Sequence, residues 1–238
     1  MNKQRLLNSI KADIMFQIKH GFYGVYIALS IMYIIVLSFI PPASIKYVLP
    51  ILIYFDPAGL GLFFIGGMVL LEKEQGVLAL LYITPLKVKE YILSKVITLS
   101  LISILAGVVI SLLSYNSTVN YFLLCVSVFL VSVLFTFIGF LVSTKSKTVN
   151  DYLVRMVPVM MLTIIPCASL IPNSIVPPIV SKLLYIVPSV GGLKLVMSSY
   201  VGISFMDLAL CFIGLVTTNI LLLKKVSAIL ADKVILNA

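Results

Sequence analysis

The chain has 238 residues, of which 61% are hydrophobic and 11% are charged, and its mean hydropathy is +1.20. Soluble domains carry about 25% charged residues, so this composition excludes a soluble enzyme or binding module. It predicts an all-α polytopic membrane protein. We expect one membrane domain over residues 1–238, because a chain of this length has no room for an additional folded soluble module.

Residues 1–21 combine basic side chains with an apolar stripe at helical spacing. The stripe consists of Leu7, Ile10, Ile14 and Ile18. This pattern predicts a cytoplasmic interfacial helix. The following 19 residues, Phe22 to Ile40, are apolar. This run is longer than the apolar region of a typical signal peptide, and it ends in two prolines without a small-residue cleavage site, so we expect a first transmembrane helix.

Five further spans are predicted from the remaining apolar runs. They are Tyr47 to Leu71, Tyr91 to Ser114, Tyr121 to Ser143, Tyr152 to Ile171 and Phe205 to Leu223. Residues 172–204 are also apolar, but several prolines and Gly191-Gly192 interrupt them. We expect short interfacial or re-entrant helices on the outer side there, before the sixth span. Residues 224–238 begin with two lysines and are predicted to form a cytoplasmic tail.

The distribution of Lys and Arg predicts the orientation of these six spans. With the N-terminus inside, the inner segments hold 14 of the 17 basic residues: four before the first span, four between the second and third, three between the fourth and fifth, and three in the tail. The outer segments hold the other three. Because positive charge concentrates on the cytoplasmic side, both termini are predicted to be cytoplasmic. This asymmetry also accounts for the net charge of +9 without a nucleic-acid partner.

The connection between the second and third spans is the least typical part of the chain. Three consecutive charged residues, Glu72 to Glu74, end the second span, and Gly76 favours a helix break because glycine costs about 1 kcal/mol in a helix interior. Pro85 disfavours helical geometry at Thr84 but suits the first turn of a new helix. We therefore predict a two-turn helix at about 77–83, between two breaks. We call residues 72–90 the elbow.

The elbow resembles the signature of type-2 ATP-binding-cassette (ABC) exporter permeases. Those proteins have a charged block, then a glycine, a Thr-Pro-Leu about eight residues later and a lysine at the start of the next span. The matching segments here are Leu71 to Leu78, Ile83 to Leu86 and Tyr91 to Lys95. The six-span layout fits as well. The chain is most similar to the short bacterial permeases of the fluoroquinolone-export type, which also have Asp-Pro and Phe-Ile-Gly-Gly before the charged block.

The resemblance implies that the short helix at about 77–83 is a coupling helix that docks on a separate ATPase subunit. The residues implied in coupling are Glu72, Lys73, Glu74, Gln75, Gly76, Val77, Leu78, Thr84 and Pro85. The three charged residues would form ion pairs with the N-terminal helix or with the ATPase. The alternative is that these charges only end a span at the lipid headgroups.

The chain itself lacks a phosphate-binding G-x-x-x-x-G-K-[ST] sequence. We therefore expect it to bind no cofactor, with ATP and magnesium bound by two ABC ATPase subunits. A second permease copy, identical or homologous, completes the assembly that the resemblance implies, in the bacterial cytoplasmic membrane. The substrate would be amphipathic: a drug or antibiotic, a lipid or a hydrophobic peptide.

Asp56 is the acidic residue that apolar sequence flanks in the outer half of a span. It precedes Glu72 by 16 residues, or about 24 Å of helix. A charge at this depth usually faces a cavity or a partner, so Asp56 is a candidate contact for a cationic or zwitterionic substrate. The alternative is an N-cap before Pro57 of a shorter second span.

Two other classes of membrane protein are alternatives. A lipid-processing enzyme would need convergent acidic, histidine or serine side chains at one membrane face, and the chain has one histidine, His20, and few acidic residues. A secondary transporter would need ionisable groups at mid-membrane. The three cysteines lie in apolar runs without zinc-ligand spacing, so we expect no metal site. Small residues at four-residue spacing, such as Ser103 and Gly107, predict helix packing within the chain or, alternatively, a dimer interface.

Overall fold

The structure is a computed structural model that describes residues 2–56, 58–77, 86–115, 118–168 and 187–236. All regular secondary structure in these residues is helical, and there are nine helices. They are α1 (Lys3–Lys19), α2 (Phe22–Ser38), α3 (Pro42–Phe55), α4 (Leu60–Glu74), α5 (Val88–Ser114), α6 (Tyr121–Ser143), α7 (Val149–Ala168), α8 (Pro188–Ser198) and α9 (Phe205–Leu236). The all-α prediction is confirmed for this part of the chain.

Five helical segments are long and apolar enough to cross a membrane. They are α3 with α4, α5, α6, α7 and α9, and α1 with α2 forms a sixth as a pair bent by 63°. The length and composition of the helices therefore give five or six spans, against the six predicted. The bend between α1 and α2 lies at Gly21, whose φ of +75° is in the left-handed region that favours glycine.

The last helix is longer than the sequence pattern predicted. The sixth span was expected to end at Leu223 and to be followed by a tail, but α9 continues without a break to Leu236. No glycine or proline occurs after Gly214, so nothing in the sequence interrupts the backbone hydrogen bonds. Val226 and Leu230, beyond the predicted end, are buried in one apolar cluster with Ile92 of α5 and Phe140 of α6.

The second predicted span is divided into α3 and α4. The N–H of Asp56 donates to the carbonyl of Leu52 at 3.0 Å, so Asp56 is the C-cap of α3. Gly59 is the N-cap of α4. The alternative that Asp56 is the N-cap of a shorter second span is therefore wrong, because the N-cap of α4 is Gly59 and not Asp56.

The described part of the outer segment, 187–204, contains α8. Pro188 lies in the first turn of α8, where its missing N–H costs no hydrogen bond. Gly191 and Gly192 were expected to break the helix, but both lie inside it. A Cβ on Gly192 would come within 2.9 Å of Val131, and one on Gly191 within 3.6 Å of Cys211. Gly192 therefore lets α8 approach α6 closely, whereas a Cβ on Gly191 would make an ordinary contact with α9. Residues 169–186 lie outside the described residues.

Small residues bring the central helices together. Ser103 Oγ on α5 lies 3.2 Å from Ser132 Oγ on α6. A Cβ on Gly107 would lie 3.4 Å from Ile53, and one on Gly139 would lie 2.3 Å from Ile65. These contacts assign the small-residue stripes to packing within the chain rather than to a dimer interface. The helices α4, α5 and α6 form the centre of the structure, and α1 packs beside α5.

Candidate functional site

The helix break at the start of the elbow lies at the predicted residue. α4 ends at Glu74, and Gly76 follows with a φ of +71°, a left-handed conformation that glycine adopts at little cost. The N–H of Gly76 donates to the carbonyl of Lys73 at 3.2 Å. Of the predicted coupling helix, Val77 is described, whereas Leu78, Thr84 and Pro85 lie outside the described residues.

Four side chains meet between α1, α4 and the beginning of α5. The Lys95 ammonium, which is fully buried, donates to Asp13 Oδ1 at 2.8 Å and to Glu72 Oε1 at 2.5 Å. The Tyr91 hydroxyl donates to Glu72 Oε2 at 2.6 Å, and Lys95 Nζ also lies 4.7 Å from the centre of the Tyr91 ring. We call these four residues, Asp13, Glu72, Tyr91 and Lys95, the Lys95 cluster.

The Lys95 cluster connects three helices through a single ammonium group. A buried ammonium is very unfavourable without partners, and its attraction to carboxylates is strong where water is excluded. Removing one partner of such a buried pair costs about 3–5 kcal/mol, because the other charge then remains buried and uncompensated. The cluster therefore fixes the end of α4, the beginning of α5 and the middle of α1 in one arrangement.

Other hydrogen bonds extend this connection along α1. Glu90 accepts from the backbone N–H of Asn2 at 2.8 Å and from that of Lys87 at 3.1 Å. Further along, Ser9 Oγ donates to Ser94 Oγ, and Gln17 Nε2 donates to Thr98 Oγ1, both at 2.9 Å.

The first and last of these contacts lie about 22 Å apart along α1 and about 12 Å apart along α5, at 1.5 Å per residue. The helix α1 is bent by 63° from α2, so it does not continue in the direction of that helix.

The structure separates the three charged residues of the elbow. Glu72 is buried within the Lys95 cluster, whereas Lys73 and Glu74 are exposed. Glu72 was expected to pair with the N-terminal helix or with another subunit. Instead it pairs with Lys95 of α5, and α1 reaches the same lysine through Asp13. Gln75 and Gly76 are exposed next to Lys73 and Glu74.

The sequence did not single out Asp13 or Lys95 as site residues, although a signal was present. Ser9, Asp13 and Gln17 recur every four positions, so they form a polar stripe on one face of α1. The predicted apolar stripe lies elsewhere on the helix, with Leu7 and Ile18 exposed. In an interfacial helix, an apolar face can contact lipid while a polar face contacts protein. Polar residues of α5 at Ser94, Lys95 and Thr98 match the polar stripe.

Asp56 lies apart from the Lys95 cluster, at the other end of α4. Its carboxylate lies near the Tyr33 side chain of α2, and both side chains are half-buried. Among the described residues no group of three His, Cys, Asp or Glu side chains is placed to hold a metal ion. His20 is exposed and stacks on Phe16, with 3.9 Å between ring centres.

Comparison with known proteins assigns the family. The chain is similar to two fluoroquinolones export permease proteins, from two strains of Mycobacterium tuberculosis. Each is 24% identical over 203 residues, which cover 82% of this chain and 81% of the relative. Residues 4–236 match the fluoroquinolones export permease protein family, a match that includes all of the described helices except the first residue of α1. The chain is a multi-pass membrane protein that belongs to the fluoroquinolones export permease protein family.

Proposed function

We propose that the chain is the membrane-spanning subunit of an ATP-driven ABC exporter that moves an amphipathic substrate out of the cell. A separate ATPase subunit binds ATP and magnesium and supplies the energy. The assembly contains two permease copies and two ATPases in the bacterial cytoplasmic membrane, with both termini of the permease in the cytoplasm. The family match supports the permease assignment, and the structure supports the proposed site of coupling.

The observation that carries this proposal is the Lys95 cluster. Glu72 precedes the predicted coupling helix and Lys95 follows it. Their ion pair therefore holds together the two ends of the segment that contains this helix. Asp13 of α1 binds the same ammonium group and so connects α1 to this pair. A force on the elbow would therefore move the ends of α4 and α5 together with α1, rather than bend one helix alone. Such a connection allows closure of an ATPase to bias the spans between two states.

The surface next to the cluster suits docking of an ATPase. Lys73, Glu74 and Gln75 are exposed and lead directly into the predicted coupling helix at 77–83. Exposed charges beside a helix end are available to a partner, whereas Glu72 is already satisfied by Lys95 and Tyr91. We therefore assign to Glu72 the role of fixing the end of α4 to α5, and to Lys73, Glu74 and Gln75 the contact with the ATPase.

Asp56 is the proposed substrate contact. Its carboxylate is half-buried near Tyr33 of α2, at the break in the second span. A carboxylate at this depth attracts the cationic end of an amphipathic molecule. The Mycobacterium tuberculosis relatives are described as exporting fluoroquinolones. Replacing Asp56 with Asn should reduce export of cationic amphiphiles more than that of neutral ones, and equal losses would remove Asp56 from the substrate path.

A second permease copy would cover helices that this chain leaves exposed. Less than a fifth of the apolar window of α7 is buried, compared with more than half of those of α3 with α4, α5 and α6. α7 is also the least apolar of the five spanning segments, so lipid alone is a poor environment for it. Contact with α7 of a second copy would remove the less apolar surface of this helix from lipid. Disulfide crosslinking between cysteines introduced at Val157 tests for this contact.

The experiment that tests the function is purification of the tagged chain from its native membrane, with ATPase activity assayed in the eluate. We expect an ATPase subunit to co-purify with the wild type. It should be lost from the double variant Lys73→Ala, Glu74→Ala, whose side chains are exposed and do not hold the fold. The control Lys145→Ala, Lys147→Ala changes two exposed lysines of another connection and should retain the ATPase. Absence of any ATPase from the wild type, even after crosslinking, would overturn the proposal.

A further inference from the structure

The Lys95 cluster contains one carboxylate more than it has cations. Asp13 and Glu72 share the single ammonium of Lys95, and all three side chains are at least nine-tenths buried. With both carboxylates ionised the cluster has a net charge of −1. Burial of an uncompensated charge is very unfavourable, and proteins usually avoid it by neutralising the group.

Two oxygen atoms next to this excess charge have no hydrogen-bond partner in the part of the chain that the structure describes. They are Asp13 Oδ2 and Gln17 Oε1, and both are buried. Asp13 and Gln17 are four positions apart on α1, so their side chains lie on the same face, one turn apart. An ionised carboxylate and an amide oxygen are both acceptors, so they cannot satisfy each other.

The hydrogen bonds around Gln17 fix which of its amide atoms has partners and which has none. Thr98 Oγ1 donates its proton to the carbonyl of Lys95 at 3.1 Å, so Gln17 must present a donor to Thr98. The amide nitrogen Nε2 fills this role and also lies 3.9 Å from Met68 Sδ. Both protons of the amide nitrogen then have acceptors, and the oxygen Oε1 is left without a donor.

We propose that Asp13 holds a buried proton on Oδ2 and donates it to Gln17 Oε1. One proton then explains three observations together: it gives the cluster a net charge of zero, and it satisfies both unpartnered oxygens. Asp13 Oδ1 continues to accept from Lys95, and Lys95 with Glu72 forms the charged pair. The Lys95 cluster is thus a proton-binding site between α1 and α5.

The neighbouring groups place this proton on Asp13 rather than on Glu72. Both oxygens of Glu72 already accept hydrogen bonds, one from Lys95 and one from Tyr91. In the part of the chain that the structure describes, the charged or titratable groups around Asp13 are Lys95 and Tyr91 on α5 and Glu72 on α4. No residue of α2 is charged, and its Tyr26 bonds instead to Ser103 at 3.2 Å.

Loss of the proton would restore the net charge of −1 and leave both oxygens without donors. The contact between α1 and α5 would then weaken, while the ion pair of Lys95 and Glu72 would persist. The proton therefore controls how firmly α1 is attached to the base of the elbow. Its effect on transport rests on the proposed function, but the proton site can be tested on the purified permease alone.

The first test compares thermal unfolding of the wild type and Asp13→Asn in detergent across pH. An ordinary Asp carboxyl has a pKa of about 3.9, so it is ionised in the unfolded chain at neutral pH. Unfolding of the wild type therefore releases the proton. Because the folded state binds more protons, wild-type stability falls as pH rises above this value. The amide introduced by Asp13→Asn can donate to Gln17 and accept from Lys95 at every pH. We expect the unfolding temperature of the variant to exceed that of the wild type by a margin that grows with pH.

The second test is infrared spectroscopy at neutral pH. We expect a protonated-carboxyl band that shifts when aspartate is labelled with ¹³C and that disappears in Asp13→Asn. The matched control Asp56→Asn should retain the Asp13 band. A margin between the unfolding temperatures that does not change with pH, a protonated-carboxyl band insensitive to labelled aspartate, or a band that persists in Asp13→Asn would each overturn the proposal.

Discussion

Lys95 and Glu72 form an ion pair with 2.5 Å between Nζ and Oε1, although 23 positions separate them in the chain and the whole predicted coupling helix lies between them. This contact determines how a change at the elbow reaches the spans. Because the lysine also binds Asp13, the end of α4, the beginning of α5 and the middle of α1 share one buried charge.

Replacing Lys95 with Met should lower the free energy of unfolding by about 3–5 kcal/mol, because Glu72 would remain buried without its cation. The measurement is the midpoint of thermal unfolding of the purified protein in detergent. The control Lys89→Met removes an exposed lysine six positions earlier and should change the midpoint little. In the double variant Lys95→Met, Glu72→Gln the loss should be smaller than the sum of the two single losses. Strict additivity would contradict the ion pair.

Gly76→Ala should destabilise the protein by about 1–2 kcal/mol, because a side chain is strained at a φ of +71°. No heavy atom lies within 4 Å of the position that a Cβ would take, so the cost comes from the backbone and not from a clash. Gly24→Ala is the matched control, since its site inside α2 is equally open. That substitution should stabilise α2 by up to about 1 kcal/mol. Equal effects of the two substitutions on the unfolding midpoint would disprove the left-handed helix end.

The adjacent glycines of α4 should respond in opposite ways. A Cβ on Gly66 would lie 2.1 Å from the Tyr152 ring, whereas one on Gly67 would meet nothing within 4 Å. Gly66→Ala should therefore cost about 1–3 kcal/mol through overpacking, and Gly67→Ala should be neutral or slightly stabilising. Thermal unfolding distinguishes the two. Tolerance of alanine at Gly66 would show that α7 does not pack on α4 through Tyr152.

Glu90→Gln should loosen the N-terminus of α1. The carboxylate accepts from two backbone N–H groups, those of Asn2 and Lys87, whereas a neutral amide has one acceptor oxygen. We expect faster hydrogen exchange at one or both of these amides and in the first turn of α1. Glu74→Gln, which changes an exposed residue, serves as the control. Unchanged exchange at both amides would remove Glu90 from the attachment of α1.

Much of the fold followed from patterns that each act locally. The span Tyr121 to Ser143 was predicted to the residue, because an apolar run between polar turn residues has one favourable state in a membrane. The helix break at Gly76 was also predicted correctly, since the preference of glycine for a left-handed backbone does not depend on distant contacts. The predicted interruption of the helix at Gly191 and Gly192 was wrong, because the role of Gly192 depends on the close approach of Val131, which is remote in sequence.

The sequence by itself determined that this protein is an all-α membrane protein with a helix break at Gly76, after its second span, because hydropathy and the backbone preference of glycine act over a few neighbouring residues. Its identification as a permease came from the resemblance of residues 71–95 to a known family and from the family match. Only the tertiary structure decided which charges hold that connection. Lys95 was recognised as the start of a span, but its partners Asp13 and Glu72 are 82 and 23 positions away. A buried ammonium can be satisfied by any carboxylate that the fold brings within hydrogen-bond distance, and the packing of α1 and α4 against α5 selects these two.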